Sequence, residues 1–167
     1  MRKGELASLG FQTEFQRSNT KPRLSPPLRS AVIWMEIDDI VDKFVERLKQ
    51  QNVEIQAFSE ISWVDGIVNR LPTKLPPSFF SLISRYVFDG FGVDDIWFYA
   101  NRGEKTWEDL SQAIFRDQTI FRVTTSNGFI HFARSSEGSY DPLCFDIRHR
   151  NNSGECPIVR LDHEAIL

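Results

Sequence analysis

The stretch GSYDPLCFDIRHRNNSGECPIVRLDHE, residues 138–164, gathers five acids, two histidines, two cysteines and three arginines around two β-rich runs. It reads either as a reaction centre or as the polar skin of a strand hairpin. Alternation favours the hairpin. In LCFDIR (143–148), Leu143, Phe145 and Ile147 share one face of a strand, and Cys144, Asp146 and Arg148 share the other. In PIVRL (157–161), Val159 and Leu161 lie opposite to Ile158 and Arg160. A one-residue slip would invert a whole strand, so placing both apolar sets on one core requires odd-numbered residues to face odd-numbered ones. With a five-residue loop at Asn151 to Glu155, Ile147 pairs with Val159, Phe145 with Leu161, and Asp146 with Arg160, leaving Asp162 beside Cys144. The Asp146–Arg160 pair would contribute about 0.2–1 kcal/mol across the ladder. Asp141, held extended by Pro142, is placed to accept backbone N–H groups and start the strand.

Upstream, GFIHFA (128–133) is a further strand, set off by Ser-Glu-Gly, and IWFYAN (96–101) alternates Ile96 and Phe98 with Trp97 and Tyr99. Earlier still the period changes to that of helices. Ile37, Ile40, Val41, Phe44, Val45 and Leu48 mark one helix face, with Asp38, Asp39 and Asp42 near its start and Arg47 and Lys49 near its end, as the helix dipole prefers. Ser59 with Glu60 can cap a second helix through Ile61, Val64, Ile67, Val68 and Leu71, stopped by Pro72. LPPSFFSLISRYVFDG (75–90) predicts a third, with Phe79, Phe80, Ile83, Tyr86 and Val87 as its stripe. Thr106 can cap a fourth through Asp109, Leu110, Ala113 and Ile114. Helices followed by an antiparallel meander give an α+β fold: N-terminal helices packed on a mainly antiparallel, twisted sheet formed by the C-terminal half.

A chain of 167 residues, 41% apolar, has material for one core and too little for two. The stretch KPRLSPPLRS (21–30), with three prolines, precludes regular structure, so residues 1–34 read as a disordered or mis-annotated extension and Met35 as a candidate true start. That segment carries a net charge of +4 and residues 35–167 carry −7. An acidic domain is ill suited to nucleic acid, whose binding relies on cations at phosphates, and better suited to a basic protein. No apolar run is long enough to span a membrane and no secretion signal opens the chain, so a cytoplasmic location is expected. Cys144 and Cys156 form neither a disulfide framework nor a zinc set and read as small buried hydrophobes.

His163 flanked by Asp162 and Glu164 resembles a metal or acid–base set. Consecutive strand residues point to opposite faces, however, and at most two of the three could meet one ion. The chain contains no H-E-x-x-H, C-x-x-C, G-x-S-x-G or glycine-rich phosphate loop. No catalytic residue, metal ligand or cofactor is therefore expected. His131 reads as a satisfied, half-buried strand histidine, and His149 as exposed beside the loop.

The combination Tyr140-Asp141-Pro142, Cys144-Phe145-Asp146 and Arg160-Leu161-Asp162-His163-Glu164, with LPPSFFSLI and IWFYAN upstream, resembles the SUKH superfamily, over most of residues 35–167. That superfamily includes yeast regulators of cell-wall glucan synthesis and bacterial immunity proteins. The resemblance implies a non-enzymatic protein-binding domain that neutralises a secreted or contact-delivered toxin of nuclease or deaminase type, a basic partner encoded nearby. The alternative it implies is a regulatory scaffold of cell-wall synthesis. Two departures accompany it: His131 stands where relatives often carry proline, and relatives continue past the Asp162-His163-Glu164 element. The second predicts a C-terminal truncation that leaves apolar surface uncovered.

Overall fold

The computed structural model describes residues 28–58, 62–103, 106–135, 141–162 and 164. Helix α1 runs Leu28–Gln50, so it begins seven residues before Met35 and the expected boundary at residue 34 falls inside a helix. The rest of that extension lies outside the described residues. Because α1 starts early, its first turn holds no acid, and Asp38, Asp39 and Asp42 lie at mid-helix rather than at the dipole's positive end. Two of them answer a neighbour instead. Asp38 accepts from Ser81 Oγ at 2.6 Å, and Asp42 pairs with Arg85 Nη2 at 2.6 Å and accepts from Tyr86 Oη at 2.6 Å. Arg47 and Lys49 do occupy the last turn.

Helix α2 (Ser62–Val68) and helix α3 (Pro77–Arg85) follow. The predicted cap residues of α2, Ser59 and Glu60, lie outside the described residues. Proline in the first turn of α3 leaves no useful N–H unpaired. Its end corrects the sequence reading: Tyr86 turns extended, and Tyr86–Phe88 forms strand β2 paired with β1 (Ile55–Ala57), Ile55 opposite Phe88. The aromatic and β-branched side chains of Tyr86-Val87-Phe88 favour a pleated surface, and that preference prevails over the helical spacing.

The second sheet has the order β3-β4-β5-β6-β7, antiparallel throughout, and the fold is α+β as expected. Its strands are β3 (Phe91–Val93), β4 (Ile96–Phe98), β5 (Phe129–Ser135), β6 (Pro142–Asp146) and β7 (Ile158–Arg160). Between β4 and β5 stand α4 (Leu110–Phe115) and α5 (Gln118–Ser126). Asp109, and not Thr106, caps α4: its carboxylate accepts from the Ser111 N–H at 2.9 Å and its hydroxyl at 2.6 Å. Buried Asn101 ties the two sheets, accepting from the Phe88 N–H and donating to the Tyr86 carbonyl, both at 2.7 Å.

One face of the large sheet meets α1 and α3 through aromatic packing. Phe132 stacks on Phe145 with centroids 4.0 Å apart, and Phe79 of α3 reaches both rings, at 5.4 Å and 5.1 Å. The ladder between β5 and β6 shifts between His131 and Ala133, so Phe132 is the extra residue of a bulge. The bulge lets Ile130, Phe132 and Ala133 all be buried.

Candidate functional site

The C-terminal hairpin is built around Asp146, the last residue of β6. Its carboxylate is almost fully buried and receives the Arg148 guanidinium through Nε and Nη2, each at 2.8 Å, the Arg148 N–H at 3.1 Å, and His149 Nδ1 at 2.8 Å. The Arg148 side-chain hydrogen bonds, followed by those of His149 and the Arg148 N–H, hold the carboxyl well below the usual carboxylate range despite desolvation. The same carboxylate caps a 3-10 turn, Ile147–His149. Arg148 lies over the Phe129 ring at 4.3 Å and against Gly128, where an added Cβ would come within 2.5 Å of Arg148 Cγ. Gly128 also has φ +80°, so glycine is required there by backbone and by contact alike. The cluster is a saturated structural joint with no spare acceptor aimed at a substrate.

This turn changes the expected register. Ile147 leaves the strand, and the observed pairs are Phe145 with Ile158, Cys144 with Val159, and Leu143 with Arg160. Arg160 therefore does not meet Asp146, Leu161 does not meet Phe145, Val159 does not meet Ile147, and Asp162 is not opposite Cys144. The connecting loop is longer than five residues. Asn151 shapes it, its side-chain oxygen accepting from the Ser153 N–H and hydroxyl and from the Glu155 N–H, and Gly154 adopts φ +89°. Alternation could not fix the register because all of Pro142, Leu143, Cys144, Phe145 and Asp146 are buried, so β6 has no solvent face.

The remaining signature residues divide. Asp141 immediately precedes β6, while Arg160, Asp162 and Glu164 are exposed beyond or along β7. Asp162 accepts from the Glu164 N–H at 2.9 Å, a local turn. Tyr140 and His163 lie outside the described residues. Cys144 is fully buried and burial pushes its thiol up to about 12, which leaves it protonated and unreactive. Cys156 is half-buried, and both thiols are free. His149 is exposed as expected, yet engaged by Asp146.

On the second face of the sheet, half-buried His131 stands opposite Cys144, its ring edge-on to Tyr99 at 5.4 Å. Desolvation pulls its pKa down to about 4, partly offset by backbone groups of Ala133 and Ala113, so the ring is neutral at physiological pH. Among the described residues no group of three or more His, Cys, Asp or Glu converges to hold a metal ion, and no helix is long and apolar enough to cross a membrane.

One accessible feature near the hairpin is apolar. A cavity of about 260 Å³ opens between α1, α3 and the sheet, lined among others by Ile40, Phe44, Leu82, Phe145 and Ile158. Ile40 is 61% exposed and Ile158 50% exposed at its mouth. Sequence reading placed Ile40 and Phe44 in the core stripe of α1, whereas only Ile37, Val41, Val45 and Leu48 of that stripe are buried. The signal was the width of the stripe, which exceeds what one sheet face covers. Comparison with family models, with curated proteins and with solved structures gave no match.

Proposed function

We propose that this chain is a non-enzymatic protein-binding module of the immunity type, acting inside the producing cell on a basic toxin domain, nuclease or deaminase, encoded nearby. The observation that carries the reading is the apolar cavity between exposed Ile40 and Ile158, set in a stretch whose net charge is −7 over residues 35–167. Exposed apolar surface flanked by charge is the usual form of a protein-contact site. The negative field steers basic partners toward it. The resemblance of the hairpin residues to the SUKH superfamily supports the same assignment. Asp146 and Cys144 support a non-catalytic role, since Asp146 is saturated by Arg148 and His149 and the Cys144 thiol is protonated.

Co-expression with the product of each adjacent gene tests the reading. Rescue of growth from a toxic neighbour, together with a stoichiometric complex of the two purified proteins, is the expected result. Neighbours that are harmless and do not bind would overturn it, and affinity capture of envelope-synthesis enzymes in their place would favour a cell-wall scaffold.

A further inference from the structure

The β7 strand ends the large sheet, and among the described residues no strand pairs with its far edge. The register of β7 on β6 fixes which backbone groups that edge presents. The Asp146 N–H donates to the Pro157 carbonyl at 2.9 Å and the Leu161 N–H donates to the Pro142 carbonyl at 3.0 Å. Antiparallel pairs alternate between those that exchange hydrogen bonds and those that do not, so Pro157, Val159 and Leu161 turn their polar groups toward β6. Ile158 and Arg160 then turn their N–H and C=O groups outward. The Ile158 side chain simultaneously forms part of the cavity wall, with Ile40 and Phe44 of α1 across the mouth. An open ladder edge and an apolar cavity thus meet at one residue.

We infer that the partner binds by adding an extended segment to β7, with one apolar side chain inserted beside Ile158 and basic residues flanking it. This rests on the immunity reading above and specifies its contact. An extended chain is the occupant that satisfies outward N–H and C=O groups spaced two residues apart, which neither a helix nor a small apolar molecule does. A cavity of about 260 Å³ is below the roughly 300–1,000 Å³ of small-molecule sites and suits a side chain or two. Charge decides against a second copy of this chain. Glu36, one turn before Ile40, and Asp162, just past β7, are both exposed, and self-association would bring two stretches of net −7 together. A self-pairing centred on Val159 would also lay the Arg160 of one copy over the apolar cavity of the other.

The test uses the full chain and a nine-residue synthetic peptide alternating lysine with valine, beside the same peptide N-methylated at every second valine. Both carry equal charge, and only the first can complete a ladder. The unmodified peptide should bind, slow hydrogen exchange at the Ile158 and Arg160 amides, and lose about tenfold or more in affinity on methylation or in the I158K chain. The I40S chain, which shortens the apolar wall without adding charge, should also lose affinity. Equal binding of the two peptides, absence of binding, unchanged exchange at those amides, or full affinity in I158K each overturns the site. Protection of the same amides without peptide, rising with protein concentration, identifies a second copy as the occupant and overturns it too. If I158K still neutralises the toxic neighbour, the docking mode fails and the immunity reading stands. If the peptide binds as described but every neighbour is harmless, the reverse holds.

Discussion

Strands β6 and β7 are adjacent rungs of one ladder, yet β6 is buried along its whole length while β7 is half-buried at Val159 and exposed at Ile158 and Arg160. Both belong to the same polar-rich run, residues 138–164. The contrast separates two reasons a residue can matter. Phe145 and Asp146 hold the sheet to α3 and to the turn that follows, whereas Ile158 and Arg160 are exposed, contribute little to the core and turn their backbone groups to the sheet edge. A signature read from order alone mixes the two.

The largest expected difference between the strands is in stability. Phe145→Ala removes a ring stacked on Phe132 and close to Phe79, and should cost about 3–5 kcal/mol in denaturant unfolding. Ile158→Ala, half exposed, should cost less than about 1 kcal/mol. Comparable losses at the two positions would break the distinction.

The second test is on the face of β6 that meets His131. Folding depresses the pKa of His131 from 6.5 to about 4, so between those values the unfolded chain binds a proton that the folded chain does not. Stability is therefore full above about pH 6.5 and falls as the pH drops toward 4, by about 3 kcal/mol in all. His131→Leu should flatten that slope in unfolding curves taken between pH 4 and 7. A slope unchanged in the variant would assign the acid sensitivity elsewhere.

These two strands also show what the sequence made legible. Helices first and antiparallel strands afterwards could be read from the change of hydrophobic period, and the positions of α1, α3, β4, β5 and the hairpin followed. The register could not. It depended on alternation in a strand that is buried on both faces, and on a turn created by Asp146 itself, whose carboxylate prefers the N–H and guanidinium of Arg148, two residues away, to a cross-strand arginine. β1 and β3 were missed because Gln56, Ala57 and Gly92 dilute the β-branched and aromatic signal that Ile96-Trp97-Phe98 carries, and α5 because it has Asp117 as a cap but a mixed Thr-rich body. Asn101 and Asp109, both buried, gave no periodic signal, since their role is to satisfy backbone groups left by neighbouring elements.

A smaller effect is expected at the joint itself. Asp146→Ala removes the cap of the 3-10 turn and the acceptor for Arg148 and His149. Arg148 and His149 are largely exposed, so the ionic part is screened and the total should be about 2 kcal/mol. Because the folded carboxyl is held below its ordinary value of 3.8, its contribution is present above that pH and is lost as the pH falls further. The parent chain should thus lose stability below about pH 4 more steeply than Asp146→Ala does. If the variant were as stable as the parent at pH 7 but failed to bind the partner, Asp146 would belong with β7 as a contact residue.

The smallest stability change, and the sharpest functional one, is expected at the edge. Arg160→Ala truncates an exposed side chain with no ion pair in the described structure, and should shift the unfolding free energy by no more than about 0.5 kcal/mol. Its backbone groups remain in place, so strand addition should persist. Replacing the same residue by proline removes the outward N–H while leaving the inward bonds of Pro157 and Leu161 untouched, because those belong to the alternate residues of the ladder. Arg160→Pro should therefore weaken partner binding where Arg160→Ala does not, at similar thermal stability. Equal binding by the two variants would mean that the partner reads side chains on β7 and not its open edge.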